Sequence, residues 1–300
     1  KLNQSNQPLV SVVIACYNHE RFVQDSIQSV IDQTYQNIEL IIIDDGSKDG
    51  SVKKIQEMIP TCKERFFRFE FRYRPNKGLS ATLNEALVWC QGEYYSPIAS
   101  DDMMLPQKIE KQINFLLKSH KNKIVGIFSG YHLIDDNNKV INTILKEQRT
   151  YNFNEIFLHN FDLPAPTALL NLIAVREVGG YIDNLKIEDW YMWLKLTENG
   201  NALIYLSEIL VNYRSHGSNT SKNLVIMNEE RKKVIDCFEG NELYDSAKLK
   251  IQWLKATDYI YINKLQALAF VKDIILESPI RIFSVDFLRF AFHFLKSIVV

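Results

Sequence analysis

The stretch IELIIIDDGSKDGS, residues 38–51, decides how this chain is read. Six residues, apolar except for Glu39, run straight into Asp44, Asp45 and Gly46. An apolar run of this length, rich in β-branched side chains and closed by a turn, is the pattern of a strand buried on both faces. Residues 9–16, LVSVVIAC, repeat the pattern and end at Tyr17-Asn18. Between the two runs Phe22, Val23, Ile27, Val30 and Ile31 recur at helical spacing, and similar helical patterns occupy residues 78–90 and 106–119. Further strands are predicted at 66–73, 94–99, 125–134 and 202–213. Strand and helix alternate, so the sheet is expected to be parallel, with ligands at the carboxyl ends of its strands.

Composition narrows the field. The 300 residues are 46% hydrophobic and 24% charged, enough for one large domain and an appendage. With 35 basic and 36 acidic side chains the net charge is -1, so no field gathers a polyanion, and nucleic acid is not an expected partner. Cys16, Cys62, Cys90 and Cys237 form no C-x-x-C pair and read as reduced packing residues. Residues 1–8 lack the apolar core of a signal peptide, and no uninterrupted apolar run of about 18 residues occurs, which together predict a cytoplasmic protein. From about residue 221 the strand pattern gives way to long helical stretches. This divides the chain near Asn223 into domains 1–222 and 223–300.

Four polar clusters carry the chemistry. The first is Asp44-Asp45-Gly46-Ser47. Asp45, Ser47, Asp49 and Gly50 imitate the start of an EF-hand loop, but a strand precedes them and the twelfth position is Gln56 instead of Glu. Taken alone, they cap the helix that runs toward Pro60. The second, Ser100-Asp101-Asp102, follows a strand and precedes a helix led by Pro106; neighbouring carboxylates repel unless a cation or hydrogen bonds compensate them. A loop pair of this kind is ordinarily solvated, yet Mg2+ or Mn2+ held by one or two carboxylates is the common solution in nucleotide chemistry. In the third, Glu188-Asp189-Trp190, the acids complement the dipole of a helix whose apolar side is Trp190, Trp193, Leu194 and Leu196. The fourth, Tyr213-Arg214-Ser215-His216, puts Arg beside His after a strand, a pairing suited to phosphates, although a lone His is more often structural.

Six ordered motifs tie these clusters together: VSVVIACYN (11–18 with its lead residue), IELIIIDDGSKDGS (38–51), NKGLSATLNEAL (76–87), GEYYSPIASDD (92–102), EDW (188–190) and YRSH (213–216). Through them the chain resembles the family 2 glycosyltransferases of the GT-A fold, inverting enzymes that build bacterial surface polysaccharides among other products. The resemblance covers roughly residues 8–220. It departs at Ala15-Cys16, where the family often has proline-threonine.

The resemblance implies an α/β, Rossmann-like nucleotide-binding domain with a mainly parallel central sheet, followed by a helical C-terminal region. It also implies transfer of a hexose from a nucleotide-diphosphate sugar, UDP-linked by resemblance alone, to an acceptor hydroxyl. The acceptor would be a saccharide carried on polyprenyl diphosphate, in O-antigen, capsule or related assembly. Tyr17 would lie against the base and Asp45 against base or ribose. Asp101 and Asp102 would form the DXD-type site, with Asp102 and His216 as ligands to Mn2+ or Mg2+, and Arg214 would close over the diphosphate. Asp189 would be the catalytic base and Glu188 a positioning residue. A helix N-terminus lowers the pKa of Asp189 and burial beside Trp190 raises it. Two alternatives stand beside this reading. A sugar-nucleotide nucleotidyltransferase needs a Gly-rich basic loop after the first strand, where this chain has Cys16-Tyr17-Asn18-His19-Glu20. An inactive nucleotide-sugar-binding module would not need Asp102 and Asp189 together.

In residues 280–300, Phe283, Phe287, Phe290, Phe294 and Ile298 share one helical face, with Arg281, Asp286, Arg289, His293 and Lys296 opposite. The basic face predicts a helix lying on the inner leaflet of an anionic membrane. The competing expectation packs the Phe stripe on the catalytic domain or on a second copy in a homodimer.

Overall fold

A computed structural model describes residues 7–119, 123–217, 219 and 222–299. Residues 1–6 of the polar amino terminus, Ser221 beside the expected boundary, and Val300 lie outside the described residues. The chain divides into two compact units, the first of residues 1–153, 162–184 and 191–216, the second of 154–161, 185–190 and 217–300.

The first unit is built on one sheet. Its strands are β1 (Val10–Cys16), β2 (Ile38–Asp44), β3 (Arg68–Tyr73), β4 (Tyr94–Ala99), β5 (Met103–Met104), β6 (Ile124–Ile134), β7 (Val140–Ile144), β8 (Arg149–Tyr151), β9 (Leu169–Asn171) and β10 (Ala202–Arg214). The order is β3-β2-β1-β4-β9-β6-β10-β5, with β7 paired to β6 and β8 to β10. β1 pairs in parallel with both β2 and β4, β2 with β3, and β6 with β10. The short β9 lies antiparallel between β4 and β6, so the six longer strands run the same way and the sheet is mainly parallel, as expected.

The burial pattern explains the strand composition. Every residue of β2 is buried, which is why the run tolerates no exposed polar face. Glu39 and the terminal Asp44 are the exceptions in type, and the Glu39 carboxylate is satisfied by Ser11 Oγ (2.5 Å), Gln91 N (2.5 Å), Gly92 N (3.1 Å) and Arg68 Nη1 (3.0 Å). α1 (Val23–Ile31) turns Val23, Ile27 and Val30 onto the sheet at the spacing seen in the sequence, and α2 (Ser51–Arg65), α3 (Leu79–Trp89) and α4 (Lys108–Lys118) follow the next strands. Burying each such Val or Ile contributes roughly 1.5–3 kcal/mol. Cys16, Cys62 and Cys90 are packed inside, whereas Cys237 is exposed, against the expectation of four packing cysteines.

α5 (Phe153–Phe157) and α6 (Leu172–Glu177) precede α7 (Glu188–Thr197), whose first turn groups with the second unit. That unit is otherwise helical: α8 (Leu224–Asp236), α9 (Tyr244–Tyr259), α10 (Lys264–Glu277), a 3-10 turn at Pro279–Phe283 and α11 (Val285–Val299). Asn223 caps α8 by accepting from Ile226 N at 3.2 Å, and Asn263 caps α10 by accepting from Gln266 N at 3.1 Å. The Phe stripe divides. Phe290 is 3% exposed and packs with Trp253, Val271 and Ile274, with Phe287 and Phe294 against the same cluster, while Phe283 is 83% exposed. The middle of the stripe is therefore the inner face of α11 within its own helical unit and is not free to meet a membrane. Among the described residues, no helix is long and apolar enough to cross a membrane.

Candidate active site

Three strand ends converge because β1 pairs with both β2 and β4. Cys16 stands opposite Asp44, and Ala15 opposite Ala99, so the polar residues that follow each strand share one edge of the sheet. After β1, Tyr17 is 46% exposed and Asn18 turns left-handed, with φ 56°. Asn18 accepts from Lys48 N at 2.8 Å, and Ser47 Oγ accepts from Asn18 N at 2.8 Å, so the two loops are knitted together.

After β2, Asp44 turns the chain by accepting from Gly46 N (3.1 Å), Ser47 N (2.9 Å) and Ser47 Oγ (2.6 Å). Gly46 has φ 79°, and a Cβ there would stand 2.6 Å from Asn76 N, so no other residue fits. Asp45 is buried. Its carboxylate accepts from the Arg74 guanidinium, Lys77 N (2.8 Å) and Gly78 N (2.9 Å), and so anchors the loop that leads into α3. Arg74 continues to Glu85 (2.7 Å) and Thr82 Oγ1 (2.9 Å). No sequence signal marked Arg74.

The two aspartates after β4 separate. Asp102 Oδ1 accepts from Arg214 N at 2.8 Å inside the protein. Burial, and then the charge of Asp101, push its carboxyl well above the usual carboxylate range. Asp101 instead meets His216 Nε2 at 2.7 Å through Oδ2, and its Oδ1 is 3.8 Å from His19 Nδ1. The sequence reading paired His216 with Asp102; the carboxylate beside His216 is that of Asp101. One ligand atom each from His19, Asp101 and His216 lies within 4.8 Å of the others. Two imidazoles and a carboxylate are a donor set that fits a divalent transition metal. Burial lowers the His19 pKa against the opposing pull of Asp101, which leaves the ring neutral and able to donate a lone pair at pH 7.

Arg214 is 1% exposed, and each guanidinium nitrogen has a protein partner: Nε gives to Asp101 O (2.7 Å), Nη1 to Asp135 O (2.8 Å) and Nη2 to Asn138 Oδ1 (2.6 Å). Its carbon Cζ lies 4.6 Å from the centre of the Phe22 ring, which stacks in turn on His216 at 5.4 Å. The side chain expected to close over a diphosphate thus braces the loop that carries both aspartates.

In the second unit Asp189, the second residue of α7, lies on an aromatic bed. Trp190 Nε1 donates to Ile156 O at 3.0 Å, and His159 meets the Trp190 ring edge-on at 4.9 Å. Trp190 N donates to Asp189 Oδ1 at 2.7 Å. Of the two opposed effects on Asp189, burial prevails and its pKa is raised; burial and the neighbouring Asp189 charge also push Glu188 up to about 8. The open groove of about 680 Å³ lined by Lys146, Glu147, Arg149, Tyr151 and Ser207 contains none of these residues.

The chain is similar to known glycosyltransferases. The profile described as Glycosyl transferase family 2 matches residues 11–179. An uncharacterised glycosyltransferase of Rickettsia typhi is 31% identical over 229 residues, 74% of this chain and 69% of its own. The UDP-Glc:alpha-D-GlcNAc-diphosphoundecaprenol beta-1,3-glucosyltransferase WfgD of Escherichia coli is 30% identical over 72% of this chain and 80% of its own. Among solved structures, Staphylococcus aureus TarS 1-349 in complex with UDP-GlcNAc aligns with a TM-score of 0.65 at 16% identity, covering 91% of this chain and 82% of that one. The mannosyltransferase PcManGT of Pyrobaculum calidifontis, in complex with GDP-Man and Mn2+, aligns with a TM-score of 0.63 at 12% identity over 98% and 88%.

Proposed function

This chain belongs to glycosyl transferase family 2, a glycosyltransferase by that membership, and on that premise we propose that it transfers a hexose from a UDP-sugar to an acceptor hydroxyl with inversion at the anomeric carbon. The acceptor is a saccharide on polyprenyl diphosphate, in assembly of O-antigen, capsule or a related surface polysaccharide, a reading supported by the names of WfgD and of the O-antigen biosynthesis glycosyltransferase WbnJ of Escherichia coli. The observation that carries the donor site is the meeting of Asp101, His216 and His19 at the carboxyl end of β4, on the same sheet edge as exposed Tyr17.

Each residue then has a task. Tyr17 offers its face to the base. Asp45 holds the 74–78 loop against the base and ribose through the hydrogen bonds it already makes. Asp101 and His216 hold a divalent ion, Mn2+ in preference to Mg2+ for a donor set containing imidazole. When bound, that ion neutralises charge on the diphosphate leaving group. Asp102 and Arg214 are positioning residues that fix Asp101, Arg214 through its bond to the Asp101 carbonyl. Asp189 takes the proton from the acceptor hydroxyl, and its raised pKa suits it to a base that works near neutrality. Because the base must be ionised, turnover rises with pH through the pKa of Asp189 and levels off above it. The proposed contact with anionic lipid falls on the outward side of α11, where Leu288, Phe292 and Leu295 are exposed beside Arg289 and Lys296. Flotation with anionic liposomes tests it: Leu288→Glu with Leu295→Glu should abolish recovery, and equal recovery refutes the contact.

A thermal-shift panel of UDP-, GDP- and TDP-sugars with Mn2+ tests the donor, since only a ligand of the folded state raises its stability. UDP-sugars should shift the melting temperature most; a panel with no shift refutes the reading. Asp189→Asn should keep that shift and lower turnover by roughly two or more orders of magnitude. Near-normal turnover there, with a collapse in Glu188→Gln, transfers the role of base to Glu188.

A further inference from the structure

We infer that His19 is a protein ligand to the divalent ion and replaces the carboxylate that a D-x-D tripeptide would present at position 99, an inference that rests on the donor-site reading above. Asp101 is the third position of Ala99-Ser100-Asp101, so the first position of such a tripeptide carries a methyl group, and Ala99 is exposed at the end of β4. A site left with Asp101 and His216 has two protein donors. His19 brings a third to the same place from a different strand end.

The loop after β1 is built to hold that ring still. His19 N donates to Ser51 Oγ at 2.9 Å, and its carbonyl accepts from Phe22 N and Val23 N, both at 2.9 Å, which closes the turn that starts α1. The ring stands edge-on between Phe22, with centroids 6.1 Å apart, and His216, 5.6 Å apart. Asp101 thus has an imidazole on each side: His216 on Oδ2 at 2.7 Å, and His19 Nδ1 3.8 Å from Oδ1. Donors about 2.1 Å from one ion stand about 3–4 Å apart, and the three donor atoms here lie within 4.8 Å of one another before any ion draws them in. His19 Nδ1 also meets Ser100 Oγ at 2.8 Å, a bond that would satisfy a purely structural ring. A structural histidine, however, needs neither a second imidazole across the same carboxylate nor a solvent-reachable edge, and the His19 side chain is 21% exposed.

The exchange has a chemical consequence. Two neutral imidazoles with one carboxylate carry one negative charge where two carboxylates carry two, and imidazole favours later transition metals over Mg2+. His19 therefore biases the site away from Mg2+, and His19→Asp should move the preference back toward it.

The test reads the metal directly on the 300-residue chain with saturating UDP. Binding of Mn2+ is titrated by the electron paramagnetic resonance of the free ion, and pulsed measurements count nitrogen and phosphorus nuclei coupled to the bound ion. The wild type should show two imidazole nitrogens. His19→Ala should show one and bind Mn2+ at least about 10-fold more weakly, since even groups that only support a ligand are worth about 10–100-fold. His19→Gln, which keeps a polar group beside Ser100, should show the same loss, whereas Ser100→Ala should keep both nitrogens, and far-UV circular dichroism checks that each variant is folded. Mn2+ bound next to phosphorus, with the nitrogen signal and affinity unchanged in both His19 variants, overturns the role of His19 and leaves the donor site standing. A wild type that binds no Mn2+ with UDP present overturns the donor site and this inference together.

Discussion

Replacing Arg214 by glutamine separates a brace from a phosphate-binding side chain. In the free protein the guanidinium serves Asp101 O, Asp135 O and Asn138 Oδ1 from a position that is 1% exposed. A buried acceptor left without its donor costs about 1–3 kcal/mol, so three would cost at most about 9 kcal/mol. Asp135 is only half-buried and Asn138 is exposed, so water takes over at both. What remains is the orphaned carbonyl of Asp101 and the space emptied against Phe22, for an expected loss of about 3 kcal/mol. Urea unfolding followed by far-UV circular dichroism, without nucleotide or metal, measures it as a lower midpoint. A side chain that served only the diphosphate would leave this stability unchanged and weaken UDP binding alone. Arg214→Gln with stability within about 0.5 kcal/mol of the wild type would refute the brace.

Three further outcomes follow from the same geometry. Asp101→Asn should abolish the Mn2+ dependence of UDP affinity measured by calorimetry, while Asp102→Asn, whose amide oxygen can still accept from Arg214 N, should retain it; the reverse pattern returns the metal to Asp102. Lys108 is buried and donates to Ser96 Oγ (2.8 Å) and Ala168 O (3.1 Å), and burial lowers its pKa from 10.5 to about 7. The unfolded chain takes up that proton near the ordinary lysine value and the folded chain only near 7, so stability falls as pH drops through this window, by an upper bound of about 5 kcal/mol. Lys108→Met should flatten the slope of unfolding free energy between pH 10 and 7, and an unchanged slope refutes the account. Gly46→Ala should lower the melting temperature, since a left-handed alanine costs about 1–2 kcal/mol and its Cβ meets Asn76 N; an unaltered melt means the turn has room after all.

β1, β2 and β4 were legible because strands covered on both faces are mainly apolar, and the turn that ends each is polar, so pattern and position coincide in the chain. α1 was legible for the matching reason that one buried helical face repeats at three and four residues. β9 and β5, three and two residues long, carry no pattern of their own; they are strands only because β4, β6 and β10 offer open edges to pair with. The choice between Asp101 and Asp102 was equally out of reach. Neighbouring side chains at a strand end point apart, and β10, more than 100 residues later, delivers the backbone N–H of Arg214 to one and His216 to the other. Sequence spacing showed that Phe287, Phe290 and Phe294 share a face of α11, but that helix is apolar on its outer side as well, and only packing against α9 and α10 decided which side turned inward. The residue types, their periods and the polar strand ends were thus set by local chain chemistry, while the partner of each polar group was set by distant segments meeting, because hydrogen bonds and buried contacts depend on distance in space and not along the chain.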